Sequence, residues 1–188
     1  RDLDGLEMMS RHKLNKAYAG YDGRSKAWHQ PDALFKAGID ETGRWCRENG
    51  VMSLGMMVNP YSHFEMWQAE DALSRQTRYT WTHAGAESLE TLQYVFKLGL
   101  EAGAGTIMLL ADDYVPHEGR NRMNFSLYVP EDRERFVNLQ TAQAHVINRL
   151  KTWIDRAYPG TRFEFCPPWY LHEFIDRREG KAEIYMKE

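Results

Sequence analysis

The run "TIMLLADDYV", residues 106–115, is apolar up to Ala111 and then ends in two adjacent carboxylates, Asp112 and Asp113. A short apolar run of this kind reads as a buried strand, and the acids stand where such a strand stops. Neighbouring side chains of a strand point to opposite faces, so the two acids take different parts unless the strand has already ended. One then faces the mouth of the fold and the other lies along a cleft. Two close carboxylates also raise the proton affinity of one of them, which keeps one acid protonated while its neighbour is ionised. That asymmetry suits the breaking of a glycosidic bond, where one group gives a proton and another stabilises positive charge. The same dipeptide also suits a loop cap or a pairing with Arg120 or Arg122, because Asp is common in turns. The residues alone leave both readings open.

Outward from that strand, apolar runs alternate with stretches of helical spacing, which predicts βα units and a parallel sheet. "HKLNKAYAGYDG", residues 12–23, predicts a strand around Leu14 to Ala19. In "PDALFKAGIDETGRWCRENG", residues 31–50, Leu34, Ile39 and Trp45 are expected on one helix face, with a break near Gly38 and a C-cap at Gly50. "VMSLGMMVNPY", residues 51–61, is a strand closed by the turn dipeptide Asn59-Pro60. A polar, aromatic stretch follows, and then "ESLETLQYVFKLGLEAG", a helix with Leu89, Leu92, Phe96 and Leu100 in one stripe and Ser88 as its expected cap. After the acid pair comes a long loop, "HEGRNRMNFSLYVPED". A helix is expected from Asp132 to Tyr158, with Phe136, Leu139, Val146, Leu150 and Trp153 aligned. "RFEFCPPWYL" is the fourth strand, broken by Pro167-Pro168.

The 188 residues, 43% hydrophobic with a formal net charge of -3, fit a single globular domain. No run of Lys or Arg offers a footprint for nucleic acid or an anionic membrane, and no apolar run has membrane-spanning length. Cys46 and Cys166 are too few for a disulfide scaffold and lack zinc spacing. The opening and closing segments carry no start, capping or stop signal, so the chain is expected to be an incomplete portion of a larger catalytic barrel. Its cell compartment stays open.

Four βα units suit half of a (β/α)8 barrel or a small doubly wound sheet. Polar residues gather at the C-terminal ends of the strands, where barrel enzymes place their sites: Tyr21 and Asp22, Asn59, Asp112 and Asp113, and Tyr170. "YAGYDGRSK" supplies neither G-x-G-x-x-G nor a P-loop, which weakens the nucleotide-binding alternative. The expected fold is therefore α/β, a partial TIM-type barrel.

Three blocks in order, "TIMLLADDYV", "AQAHVINRLKTWI" and "RFEFCPPWYLHEF", resemble the catalytic domain of glycoside hydrolase family 84, the retaining β-N-acetylglucosaminidases that include O-GlcNAcase. "HKLNKAYAGYDG" is similar to that family's second strand. The likeness extends over nearly the whole chain and maps it to strands two to five of the family barrel. It implies removal of terminal β-linked N-acetylglucosamine, or a related N-acetylhexosamine, from a glycan or glycoconjugate without a cofactor. By this resemblance Asp112 orients the substrate's 2-acetamido group, whose oxygen attacks the anomeric carbon. Asp113 is the general acid and then the base, and Tyr170 donates its hydroxyl near the acetamido oxygen. Asn59, Asp22 and Tyr21 are expected to contact substrate, although Asn59 equally serves the Asn-Pro turn. The family's Lys-bearing loop after the second strand is replaced here by "GYDGRSK", with Asp22 nearest the Lys position and Lys26 displaced. This departure bears on which sugar is bound.

Other residues invite a role. His63, His83, His117 and Glu118 offer metal-ligand chemistry beside Asp112, as in a metal-dependent barrel hydrolase, but match no metal motif and suit surface polar loops. His145 fits a packed or solvated helix position. Trp67, Tyr79 and Trp81 fit either sugar stacking or an ordinary core. A carbohydrate-binding barrel fragment without turnover is the alternative from another class. Exposed strand edges, finally, call for cover by further chain or by a second copy.

Overall fold

The computed structural model describes residues 3–20, 31, 33–50, 52–60, 82–111 and 130–167. Helices and strands alternate: α1 (Leu3–Arg11), β1 (Lys16–Gly20), α2 (Ala33–Asn49), β2 (Ser53–Val58), α3 (Ala86–Glu101), β3 (Thr106–Leu110), α4 (Pro130–Arg135), α5 (Leu139–Ala157) and β4 (Arg162–Cys166). The strands form one sheet in the order β1-β2-β3-β4. Tyr18 stands opposite Gly55, and Gly55 opposite Thr106, in parallel register. β4 follows β3 in the same sense, since Arg162 N–H donates to Gly105 O and Ala111 N–H to Cys166 O. The parallel α/β sheet expected from the alternation is present.

The chain divides into two compact units. The first comprises Arg1–Val58, Thr91–Leu109 and Trp153–Glu164. In it Ala17, Leu54, Met56, Ile107 and Leu109 are buried on one face of the sheet. α2 packs on β2, and α3 meets β2 where Gly99 lies against Met56. Register places Lys16, Tyr18, Met57 and Met108 on the opposite face, where each keeps part of its surface accessible. The second unit comprises Asn59–Glu90, Leu110–Thr152 and Phe165–Glu188. Its buried residues include Leu89, Leu139, Ala142, Val146 and Leu150, together with the polar His83, Ser88, Asp132 and Gln143.

Several local expectations change. The opening segment, for which the sequence patterns gave no assignment, is helix α1. Leu14 is half exposed and lies outside β1, because its N–H closes the end of α1 on Met9 O. α2 runs unbroken through Gly38, and its buried face is Ile39, Gly43 and Cys46. Leu34 is 80% exposed, since five residues of helix place it about 140° from Ile39. At Gly43 an added Cβ would overlap the Ala102 carbonyl, so the helix comes this close only with glycine there. Gly50 does end α2, at φ +66°.

The long helix expected from Asp132 is two helices. Asn138 interrupts it by capping α5: its Oδ1 accepts the Thr141 N–H at 2.9 Å, while its own N–H donates to Thr141 Oγ1 at 3.3 Å. Ser88 does not sit at the start of α3 but inside its first turn. Its hydroxyl accepts the Thr82 N–H at 3.1 Å, and Thr82 Oγ1 accepts the Gly85 N–H at 2.8 Å.

Candidate active site

A parallel strand delivers whatever follows it to the C-terminal edge of its sheet. β2 therefore hands on to Asn59, β3 to Ala111 and β4 to Pro167 at that edge. Asn59 is buried, at 8% exposure, immediately after Val58. Ala111 is fully buried and tied to the last residue of β4 by its 2.8 Å bond to Cys166 O, so the ends of β3 and β4 are neighbours. Asp112, Asp113, Tyr170, Tyr21 and Asp22 lie outside the described residues, as do His63, His117, Glu118, Trp67, Tyr79, Trp81, Lys26, Arg120 and Arg122.

Two polar clusters among the described residues were not foreseen. In the first unit, Tyr18 Oη donates to Glu164 Oε2 at 2.5 Å, Lys16 Nζ lies 3.4 Å from Glu164 Oε1, and Arg162 Nε approaches the same oxygen to 2.9 Å. Tyr18 and Glu164 belong to the two outer strands, which a flat sheet would hold about 14 Å apart. Their contact requires the sheet to curl towards the face they share, as a barrel wall does. The Tyr18 ring lies across Gly55 on β2, where any Cβ would strike it. The bond from Tyr18 holds the Glu164 carboxyl below its ordinary value, aided by Lys16 and Arg162. Burial and the same bond push the Tyr18 phenol up. Period-two reading of "KAYAG" and "RFEFC" offered a signal: Lys16 and Tyr18 alternate with alanines, and Glu164 stands between two phenylalanines.

In the second unit, His83 is not a surface loop residue. It is 2% exposed and its ring Nδ1 lies 2.8 Å from Asp132 Oδ2. No local pattern announces a partner 49 residues away. His145 is a packed helix residue, its ring 5.3 Å from that of Phe136. Among the described residues, no three His, Cys, Asp or Glu side chains come together as a metal site, and no helix is long and apolar enough to cross a membrane.

No protein-family model matches the sequence, and no curated protein is similar to it. Solved structures are. An O-GlcNAc hydrolase mutant from Thermobaculum terrenum superposes over 90% of this chain with a TM-score of 0.63 and 20% identity. The protein CpGH84D does so over 97% with a TM-score of 0.60 and 16% identity. The fold is a partial (β/α)8 barrel. The chain spans 32% and 26% of the length of those two proteins. In a partial barrel the Lys16, Tyr18 and Glu164 cluster lies on the inner face, between the N-terminal end of β1 and the middle of β1 and β4. The opposite ends of the strands, at Asn59, Ala111 and Pro167, are where a barrel carries its chemistry.

Proposed function

We propose that this partial barrel belongs to a retaining glycoside hydrolase that removes terminal β-linked N-acetylglucosamine, or a related N-acetylhexosamine, through participation of the substrate's own 2-acetamido group. The observation that carries the reading is the position of β3. It is a buried strand inside the parallel sheet, its end is bonded to the end of β4, and the chain passes from it straight into Asp112 and Asp113. The likeness of the fold to an O-GlcNAc hydrolase supports the same reading.

In this mechanism Asp112 accepts the acetamido N–H and turns the acetamido oxygen towards the anomeric carbon. That oxygen forms the new bond as the glycosidic bond breaks, and Asp113 gives its proton to the departing oxygen. The resulting oxazoline-type intermediate keeps its charge near Asp112 and the Tyr170 hydroxyl. Asp113, now ionised, takes a proton from water, which attacks the anomeric carbon and restores the acetamido group with overall retention. No enzyme nucleophile is needed, unlike in the usual two-carboxylate scheme. Asn59, Asp22 and Tyr21 serve as substrate contacts. No residue of the mechanism calls for a cofactor.

Hydrolysis of an aryl β-N-acetylglucosaminide by the native protein is the test, with Asp112→Ala and Asp113→Ala beside it. Each substitution is expected to lower kcat by about 100-fold to 10,000-fold, the usual contribution of a positioned acid or base. Asp113→Asn should spare activated aryl glycosides, which need little protonation, and fail on poor leaving groups. Turnover that survives both alanine substitutions would sink the assignment. Binding of N-acetylglucosamine without hydrolysis would instead identify a carbohydrate-binding barrel.

A further inference from the structure

Helix α1 is amphipathic, with Leu3, Leu6 and Met9 spaced three residues apart, yet none of its residues is buried. Those three side chains line a groove of about 580 Å³, with Ala17 and Ala19 of β1 as its floor and α2 as its other wall. α2 packs on β2, so α1 stands over the edge of β1 that no described strand pairs. Leu34 of α2 also lines the groove, and it is 80% exposed.

A floor of alanines between walls of leucine and methionine leaves the space that a large apolar side chain fills in a close-packed interior. The same chain carries such a side chain at the other end of its sheet. The alternation that turns Glu164 of β4 to the inner face turns Phe163 to the outer one, where it keeps part of its surface accessible. Among the described residues β4, like β1, pairs on one side only. One edge therefore offers a hollow and the other a projection. The sheet holds four parallel strands in sequence order and curls towards its inner face, whereas a TIM-type barrel closes with eight. A twofold axis along the barrel keeps every strand parallel and sets β4 of each copy beside β1 of the other. The two junctions are identical, so the ring closes at two copies and leaves no strand edge open.

We propose that the groove is occupied by a second copy of this chain: β4 of one copy pairs along β1 of the other, Phe163 enters the hollow under α1, and two copies close an eight-stranded barrel. This goes beyond the hydrolase reading and does not depend on it, because it is read from mass and not from turnover.

Sedimentation of the 188-residue chain across a concentration series is the first reading. The expected species is a dimer, at twice the 22.0 kDa of one chain, that adds no further copies. Growth past two copies, or the mass of one chain throughout, would overturn the proposal. Leu34→Asp puts a charge in the hollow at an exposed position that the core does not use, and Phe163→Asp puts one on the projection. Each alone should raise the dimer dissociation constant about tenfold or more. An equimolar mixture of the two should recover association, because the intact Phe163 of the first variant then meets the intact hollow of the second. A mixture as weak as its parents would overturn the pairing of β4 with β1, and so would single variants that dimerise like the native chain. Should Phe163→Asp not fold, Phe163→Ala is read in its place.

Discussion

At the scale of single residues, Glu164 is the side chain whose environment says most about the barrel wall. Its carboxylate collects Tyr18, Lys16 and Arg162, and only Arg162 is its near neighbour in sequence. Because its folded-state pKa is lowered from 4.5, the stabilisation is complete above that value and is lost as pH falls through the lowered one. For Tyr18 the sign reverses. Its pKa is raised from 10.0, so its contribution is complete below that value and is lost as pH rises through the raised one. Tyr18→Phe should therefore lower stability at neutral pH by about 1.5 kcal/mol, the lower end for a hydrogen bond to a charged group. It should also remove the alkaline loss and shrink the acid one. Urea midpoints from pH 3 to 11 test this, and an unchanged pH profile in the variant would refute the account. The alternation in "RFEFC" carries a signal that Glu164 faces away from Phe163 and Phe165, which the sequence reading did not use, and nothing local to Glu164 names Tyr18 as its partner. His83 was misjudged for the same reason: a histidine in a polar stretch looks like surface until a distant Asp132 is known to receive it.

At the scale of elements, strands were legible and helix boundaries less so. β3 and β4 fall where their apolar runs predict, because strand character is set by a few consecutive side chains. The break between α4 and α5 was missed because an apolar stripe continues in the sequence across Phe136 to Leu139, while the interruption depends on how Asn138 and Thr141 bond each other. Helix ends offer a sharper comparison. α3 closes with Gly103 N–H on Leu100 O and Ala104 N–H on Gly99 O, with Gly103 at φ +99°. α1 closes in the same pattern, Lys13 N–H on Ser10 O and Leu14 N–H on Met9 O, but with a lysine at φ 60°. A side chain in this left-handed conformation costs about 1–2 kcal/mol. Part of that returns as unfolded-state freedom when glycine is introduced. Lys13→Gly, at an exposed position, is thus expected to stabilise the chain by about 0.5–1 kcal/mol, or a rise in Tm of about 1–4 °C. A Tm that stays put or falls would mean that α1 melts apart from the rest.

At the scale of the whole molecule, the sheet has a property that no single element reveals. Among the described residues, β1 and β4 each pair on one side only, so each keeps one edge with no described strand beside it. Open edges of this kind pair with other chains unless charge, proline or a covering segment prevents it. Charges are present here, but Lys16 and Arg162 at the starts of β1 and β4 and Glu164 in the middle of β4 are bound to one another across the inner face, which takes Lys16 and Glu164 out of the role of edge guards. Ala19 and Gly20 at the end of β1, and Phe165 at the end of β4, oppose pairing much less. The 188-residue chain is accordingly expected to self-associate, its weight-average mass in sedimentation equilibrium rising above 22.0 kDa with concentration. Salt should weaken this little, because backbone pairing and apolar contact drive it rather than exposed charge. A constant 22.0 kDa species at every concentration would place cover over both edges within the chain itself, in residues 21–30, 61–81, 112–129 or 168–188. Association would instead mean that the barrel wall is completed only by strands beyond these four, and that turnover should be sought in the assembled or longer protein.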